Sequence, residues 1–309
     1  MTVRPDVAAV IEAMAAAGPP FEELGAVGAR EASAARRRAS AAVAPAVGSV
    51  EDTSVPVPDR SIPVRIYRPE GGADAPVVVF LHGGGWTICD LDSHDALCRR
   101  LVRASGCTFV SVDYRLAPEH PFPAGLDDAA AVTDWACSNL ASLGSGGAIG
   151  LMGDSAGANL AAVVALARRS AGDVPIGALA LLYPIADCDL DNGSYREFAT
   201  GFPLTRAAMA WYWDQYAPDP GLRSDPRLSP LRTPDVAGAP ATYVAVAGLD
   251  PLRDEAEAFA RRLAEASVDV TFERFDEVFH GFASVPALPE SQAAIDAAAA
   301  HLRLHLGRP

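Results

Sequence analysis

The sequence predicts an α/β fold in which a central, mostly parallel sheet carries helices on both faces and a helical cap. Continuous apolar runs such as Val77–Leu81 and Thr108–Val112 are typical of strands that are buried on both faces. Most of these runs precede a stretch with helical periodicity, and alternating strands and helices form parallel sheets. In addition, 50% of the 309 residues are hydrophobic, which is enough for one large core.

The elements follow in chain order. The alanine-rich residues 5–41 predict one or two helices, interrupted at Gly18, Pro19 and Pro20. Residues 50–57 and 62–68 predict two strands joined by a turn. Further strands are expected at 77–81, 108–112, 149–152, 176–183, 242–247 and 270–275, and helices at 93–104, 126–143, 155–170, 251–265 and 291–305.

Two segments do not fit the alternation of strands and helices. One is the N-terminal helical stretch, and the other is an aromatic-rich stretch that follows the strand at 176–183. We expect residues 1–47 and 188–222 to form a cap over the ends of the strands. Residues 48–187 and 223–309 then form the two parts of the α/β core.

The net charge and the cysteine content indicate which classes of binding partner and which cellular compartment to expect. The formal net charge is −14, so the chain repels the phosphates of nucleic acids and anionic lipids. The charge-free residues 135–153 are rich in Gly, Ser and Asn, and we expect no membrane insertion. Asp6 and Glu12 interrupt any secretion signal, and five irregularly spaced cysteines predict free thiols, so we expect a cytoplasmic protein.

A candidate nucleophile lies in the sequence GDSAG, residues 153–157. The pattern GxSxG follows a short apolar strand and precedes an alanine-rich helix, which is the context that a nucleophile elbow requires. Ser155 is the candidate nucleophile, and the first N–H groups of the helix point toward it. The alternative is an ordinary turn in which Ser155 is the helix N-cap.

The sequence HGGG, residues 82–85, predicts an oxyanion hole. Glycines directly after a buried strand expose backbone N–H groups, which can stabilise the negative charge of an acyl-transfer transition state. By position we assign the donors as the N–H groups of Gly84, Gly85 and Ala156, with Gly83 giving flexibility and His82 holding the loop. Asp154 braces this loop or is solvated, and a flexible glycine-rich turn is the other interpretation of HGGG.

His280 is the predicted general base and Asp250 its acidic partner. Each follows a predicted strand, and the order Ser, Asp, His along the chain is the order of α/β-hydrolases. Asp250 precedes Pro251, which we place as the first residue of a helix, so Asp250 could also be a plain N-cap. His301 and His305 have helical i, i+4 spacing but no third ligand, so we expect a surface pair and no metal site.

These motifs together resemble the bacterial hormone-sensitive-lipase family of esterases, which have the α/β-hydrolase fold. The resemblance rests on HGGGW at 82–86, DYRLAPEHPFPA at 113–124, GDSAGAN at 153–159, DPLRDE at 250–255 and HGF at 280–282. It implies an N-terminal cap, no cofactor, and hydrolysis of carboxylic esters with short or medium acyl chains. We interpret DYRLAPEHPFPA as a rigid support beneath the HGGG loop.

Several alternatives stay open at this point. An amidase, a carbamate hydrolase or a lactone hydrolase would use the same side chains. A non-catalytic small-molecule receptor of this family lacks the catalytic His, whereas His280 is present here. The final helix packs on the sheet or on a second copy of the chain, which would make a homodimer. Aromatic residues that could line the substrate pocket are Trp86, Phe202, Trp211, Tyr212 and Phe282.

Overall fold

The computed structural model describes residues 3–39, 44–144, 147–169 and 174–307, and its centre is an eight-stranded sheet. The strands are β1 (Ser49–Val57), β2 (Arg60–Arg68), β3 (Val77–Leu81), β4 (Thr108–Val112), β5 (Ile149–Asp154), β6 (Ile176–Leu182), β7 (Ala241–Leu249) and β8 (Val270–Phe279). Their order in the sheet is β1-β2-β4-β3-β5-β6-β7-β8. Among the described strands, β2 pairs antiparallel with both β1 and β4, and all the other pairs are parallel, so the predicted mostly parallel sheet is confirmed.

The helices expected from the sequence are present with shifted ends, and two further helices lie in the aromatic-rich stretch, where no individual helix was assigned. They are α1 (Pro5–Ala16), α2 (Gly25–Ala39), α3 (Asp95–Ser105), α4 (Ala124–Ser138), α5 (Leu140–Leu143), α6 (Ala156–Arg168), α7 (Gly193–Glu197), α8 (Arg206–Tyr216), α9 (Arg253–Glu265) and α10 (Pro289–Leu306). The single helix expected at 126–143 is divided, because the side chain of Asn139 donates to the carbonyl of Trp135 and ends α4. The predicted helical positions 40, 41 and 170 lie outside the described residues.

The central strands β3, β4 and β5 are buried along their whole length, and successive side chains of each strand point to opposite faces of the sheet. In β3, Val77, Val79 and Leu81 pack into one hydrophobic cluster with α4, α6 and α9. Val78 and Phe80 pack into a second cluster with α3 and α10. Each such buried side chain contributes roughly 1.5–3 kcal/mol of transfer free energy, so continuous apolar strands are needed in the centre of the sheet.

The final helix packs on the sheet. Leu302 and Leu306 are buried, whereas Leu304 is 74% exposed. The space beside Leu306 is tight: a Cβ added to Gly150 of β5 would lie 2.8 Å from the Leu306 Cδ1. The expected surface pair is wrong for His301, which is buried and bonds through Nε2 to the carbonyl of Ala241 at 3.0 Å.

The two segments that are predicted to form a cap both contact the loop that follows β3. From α2, the Arg30 Nε donates to the carbonyl of Thr87 at 2.8 Å. From α8, the ring of Tyr212 lies so close to Gly85 that a Cβ there would clash with it. The division of the chain into cap and core stays a prediction. Among the described residues, no helix combines the length and the apolar character needed to cross a membrane.

Candidate active site

Ser155 lies on a sharp turn between β5 and α6. Its backbone has φ 52° and ψ −120°, a strained conformation for a residue with a side chain. Two hydrogen bonds hold it: its N–H donates to Leu182 O at 2.9 Å, and its carbonyl accepts from Asn159 N at 3.1 Å. Its hydroxyl makes no capping bond to α6, so the alternative of a plain N-cap is wrong.

The two glycines of GDSAG are required by close packing around this turn. A Cβ on Gly157 would clash with the carbonyl oxygen of Leu81, and one on Gly153 would clash with the backbone of Gly157. Strand β3, the turn and the start of α6 therefore approach at backbone distance. Only glycine leaves room for this approach without displacing the strand.

His280 and Asp250 meet Ser155 at the carboxyl ends of three parallel strands. The Nε2 of His280 lies 2.9 Å from the Ser155 Oγ, and its Nδ1 lies 2.7 Å from the Asp250 Oδ2. Asp250 is fully buried, and as a carboxylate it only accepts. The Nδ1 of His280 therefore carries a hydrogen, and the lone pair of Nε2 faces the serine hydroxyl.

The turn after β7 explains how Asp250 is oriented. Its second oxygen, Oδ1, accepts from the N–H of Leu252 at 2.9 Å. The expected helix start at Pro251 is wrong, because α9 begins at Arg253. Asp250 therefore combines an interaction with the backbone turn before the helix and an interaction with His280. One carboxylate oxygen accepts from the backbone and the other faces His280, and these two contacts leave the side chain little freedom to rotate.

Each glycine of the HGGG loop occupies a position where a larger side chain would be sterically unfavourable. Gly84 and Gly85 have φ values of 110° and 56°, a region that favours glycine. The flexibility expected of Gly83 stays a prediction, but the structure gives this glycine a steric reason: a Cβ there would lie 2.6 Å from the Asp154 Oδ2. Within the described part of the chain, the N–H groups of Gly84 and Gly85 have no hydrogen-bond acceptor.

His82 lies beneath this loop and is fully buried. Its Nδ1 lies 2.7 Å from the carbonyl of Gly83, and its own carbonyl accepts from the Tyr114 hydroxyl at 2.7 Å. The Tyr114 ring also stacks on the imidazole, with centroids 4.4 Å apart. Tyr114 belongs to the DYRLAPEHPFPA stretch, which therefore contacts the HGGG loop directly. Burial and the neighbouring His94 lower the pKa of His82 to about 4, so it is neutral at pH 7.

Asp154 is buried and braces the loop. Its Oδ1 accepts from the N–H of Gly83 at 2.9 Å and lies 3.1 Å from the His94 Nε2. Burial by itself raises the pKa of Asp154, but His94 and the Gly83 N–H outweigh it, so the pKa lies below its ordinary value. His94 is one of the six histidines of the chain, and no local sequence pattern distinguishes it, because it meets Asp154 across 60 residues.

The predicted pocket aromatics divide into core and half-buried residues. Trp86 is 1% exposed and stacks on Tyr216 at 4.4 Å, and Phe282 is fully buried against Tyr183 and Phe275. We therefore correct these two from pocket wall to core. Tyr212 is 6% exposed and contacts the HGGG loop at Gly85. Phe202 and Trp211 are half-buried.

Sequence reasoning missed Tyr183, which follows β6. Its ring meets the His280 ring edge-on, with centroids 4.8 Å apart, and its φ of 38° is unusual for a non-glycine residue. An aromatic residue at the end of an apolar strand carries no signal of this contact, because only the sheet order brings it beside His280. Among the described residues, no cluster of three or more His, Cys, Asp or Glu side chains has the arrangement of a metal site.

Comparison with known proteins agrees with this geometry. A carboxylic ester hydrolase of Mycobacterium tuberculosis, LipN, is 42% identical over 255 residues, covering 80% of this chain and 68% of its own. An ethyl acetate hydrolase of Pseudomonas putida is 33% identical over 233 residues, covering 74% of this chain and 73% of its own. The solved ester hydrolase EH1AB1 from the metagenome of Lake Arreo, in complex with a derivative of bipyridine phosphonate, superposes with a TM-score of 0.94 at 37% identity. The superposition covers 99% of this chain and 100% of that one.

The family model for the alpha/beta hydrolase fold matches residues 78–284, which contain all the candidate catalytic side chains. The match therefore spans the strands β3 to β8 and the loops that follow them. Together with the sheet order and the turn at Ser155, it establishes that the chain belongs to the α/β-hydrolase fold family.

Proposed function

We propose that the protein is a serine carboxylesterase that hydrolyses short- to medium-chain acyl esters through an acyl-enzyme. The observation that carries the proposal is the continuous hydrogen-bonded line from Asp250 through His280 to Ser155, with distances of 2.7 and 2.9 Å. Nucleophile, base and orienting acid must lie within hydrogen-bond reach in this order. The named esterases among the relatives support the same reaction class.

The reaction begins with attack of the Ser155 Oγ on the ester carbonyl. As the C–O bond forms, the hydroxyl proton passes to the Nε2 of His280, whose lone pair faces it. The imidazolium that forms is stabilised by the Asp250 carboxylate, which does not itself take the proton. Because His280 must be unprotonated to accept, activity falls at acid pH.

The carbonyl oxygen becomes an oxyanion, and we assign its stabilisation to the N–H groups of Gly84, Gly85 and Ala156. Two of these donors have no other acceptor among the described residues, and Ala156 is the first residue of α6, whose N–H has no intrahelical partner. One donor of this kind is worth about 3 kcal/mol in the transition state. The tetrahedral intermediate then collapses, and the alcohol leaves with the proton held by His280.

Water completes the cycle by the same path. His280 takes a proton from water, which attacks the acyl-enzyme, and the acid product leaves as Ser155 regains its hydrogen. None of these steps uses a cofactor, because the nucleophile, base and oxyanion donors all belong to the chain. The free cysteines suit a reducing compartment, and we propose the cytoplasm.

The acyl-chain range rests on the cap that we propose from residues 1–47 and 188–222. Tyr212 contacts the HGGG loop and Arg30 bonds to Thr87 just beyond it, so a bound acyl chain would lie beneath bulky side chains of these two segments. The relative named for ethyl acetate supports small esters. An amidase, carbamate hydrolase or lactone hydrolase would need the same triad, and the triad does not select the leaving group.

The test is hydrolysis of p-nitrophenyl esters from acetate to palmitate by the wild type and by Ser155→Ala. We expect the variant to fold normally and to lose at least about 10⁴-fold in kcat/KM. We expect the wild type to prefer acyl chains of eight carbons or fewer. Retained turnover in Ser155→Ala would refute the mechanism, and a preference for palmitate would refute the substrate class while leaving the mechanism in place.

A further inference from the structure

We propose that His94 is a positioning residue for ester hydrolysis: its imidazolium pairs with Asp154, and the pair fixes the loop that carries the oxyanion donors. This inference rests on the proposed function, because it assigns a role within the same site. His94 touches neither the proposed nucleophile nor its base. It acts through Asp154 on the backbone of Gly83.

The pair is buried and lies between two elements. His94 immediately precedes α3, and Asp154 ends β5 directly before Ser155. The His94 Nε2 lies 3.1 Å from the Oδ1 of Asp154 and 3.3 Å from its Oδ2. Both side chains are 8% exposed, so bulk water screens their attraction poorly.

Neighbouring hydrogen bonds indicate that His94 carries two ring hydrogens. Its Nε2 faces a carboxylate, which only accepts, and therefore carries one hydrogen. Its Nδ1 lies 2.9 Å from the Ser93 Oγ. The single hydrogen of that hydroxyl is directed at the carbonyl of Asp90, at 2.6 Å. The Ser93 oxygen accepts from the N–H of Asp90 at 2.9 Å and has one further lone pair, so the Nδ1 of His94 donates a second hydrogen to it and the ring is cationic.

The surrounding groups are compatible with this charge. His82, from the loop after β3, lies 5.5 Å away between ring centroids, and Phe80 of β3 lies 6.0 Å away. His82 stays neutral because burial and the charge of His94 lower its pKa to about 4. Asp90, on the same turn as Ser93, pairs through its side chain with Arg37 of α2 at 2.9 Å.

The pair is connected to the oxyanion donors by a single short link. The Asp154 Oδ1 accepts from the N–H of Gly83, and there is no room for a Cβ between Gly83 and the carboxylate. Gly83 directly precedes Gly84 and Gly85. A displaced carboxylate therefore moves these donors, and a shift of about 1 Å at a catalytic group costs on the order of 10²-fold in rate.

The first experiment needs no variant. In ¹⁵N-histidine-labelled wild-type protein at pH 7, we expect one buried ring to show both nitrogens protonated, and His82 to be neutral. Assignment uses the loss of one signal set in His94→Gln. A neutral tautomer at His94 would overturn the proposal, because the Asp154 carboxylate would then have no cationic partner in this pair.

The second experiment measures kcat and KM for p-nitrophenyl butyrate in His94→Gln. Active sites are counted by titration with a fluorophosphonate, so that unfolded protein does not enter kcat. We expect kcat per titrated site to fall about tenfold or more with little change in KM, because oxyanion donors act mainly in the transition state. The matched control is His301→Gln, another buried histidine far from the site, which should stay within about twofold of the wild type.

Coupling distinguishes positioning from general destabilisation. If His94 acts through Asp154, His94→Gln combined with Asp154→Asn should be about as slow as the slower single variant. Independent multiplication of the two effects would contradict the proposal, as would a wild-type kcat in His94→Gln. Ser155→Ala separates the levels: if it is inactive while His94→Gln is fully active, only the role of His94 fails. If Ser155→Ala is active, the proposed function itself fails.

Discussion

The molecule contains two buried His–Asp pairs for which we propose opposite roles. In the first pair the His280 Nδ1 lies 2.7 Å from Asp250, and in the second the His94 Nε2 lies 3.1 Å from Asp154. The two pairs do not differ in burial, because the side chains of His280 and His94 are 12% and 8% exposed. The difference lies at the second ring nitrogen of each histidine.

Each second nitrogen faces a serine, and the hydrogen of that serine decides the outcome. The Ser155 hydrogen has His280 as its acceptor at 2.9 Å, so His280 keeps a lone pair available for proton transfer. The Ser93 hydrogen is directed at the Asp90 carbonyl, so Ser93 accepts from His94. A His–Asp pair therefore provides a base only where the ring nitrogen that does not face the carboxylate is left unprotonated.

The largest expected effect comes from breaking the first pair. In Asp250→Asn the amide can donate to the Nδ1 of His280, which favours the tautomer whose Nε2 carries a hydrogen and cannot accept from Ser155. We expect kcat/KM for p-nitrophenyl butyrate to fall about 10³–10⁴-fold. The same substitution at Asp254, inside α9, is the control. An Asp250→Asn variant within tenfold of the wild type would show that Asp250 does not set the tautomer.

A smaller effect is expected where the second pair meets the HGGG loop. In Gly83→Ala the new Cβ would lie 2.6 Å from the Asp154 Oδ2, so the carboxylate and the loop must separate. We expect kcat to fall about 10²-fold with KM nearly unchanged, measured per titrated active site.

Gly147→Ala is the matched control for this change, because an added Cβ there has no heavy atom of the described residues within 4 Å beyond its chain neighbours. Neither glycine has a positive φ, so the two substitutions differ in steric contact and not in backbone strain. Equal activities of the two variants would mean that the loop tolerates displacement of Asp154. The second pair would then be structural only.

The smallest expected effect concerns His82, the neutral histidine beside His94. The folded state lowers the pKa of His82 from 6.5 to about 4, so the unfolded chain binds the additional proton in this interval. Its contribution to stability is therefore full above pH 6.5 and is lost as the pH falls toward 4. Between pH 7 and 4.5 we expect the wild type to lose about 2–3 kcal/mol more unfolding free energy than His82→Gln does.

Urea unfolding at the two pH values measures this difference, and His120→Gln at an exposed histidine is the control. The control should follow the wild-type pH dependence. If His82→Gln showed the same pH dependence of unfolding as the wild type, the folded state would bind a proton at His82 as readily as the unfolded chain does. His94 would then lose the neutral neighbour that makes its positive charge compatible with the site.

Much of this site could be predicted from the sequence, because each of its parts is encoded by a short local stretch. GDSAG needs one strand, one turn and one helix to place Ser155, and all three are encoded within about twenty residues of it. Asp250 and His280 each follow a predicted strand, and parallel strands bring their carboxyl ends to one edge of the sheet. The exact start of α9 was missed, because Pro251 fits the first turn of a helix and the turn before one equally well.

Other features depend on neighbours that are distant in the chain. Trp86 was expected in the substrate pocket, but it stacks on Tyr216 of α8, which is 130 positions later in the numbering. The role of Gly83 follows from the position of Asp154, which no local pattern around HGGG contains. Tyr183 reaches His280 only because β6, β7 and β8 are adjacent in the sheet.

By itself, the sequence determined the alternation of buried strands and helices, the strained turn at Ser155 and the order of the three proposed catalytic residues. These depend on backbone preference and on hydrophobic periodicity, which act over a few residues. The tertiary structure alone decided the surroundings of His82 and His94, and with them the neutral ring of His82 and the cationic ring that we propose for His94. The protonation of a buried ring depends on the donors and acceptors that surround it in space, and these come from β3, β5, β7 and the turn before α3.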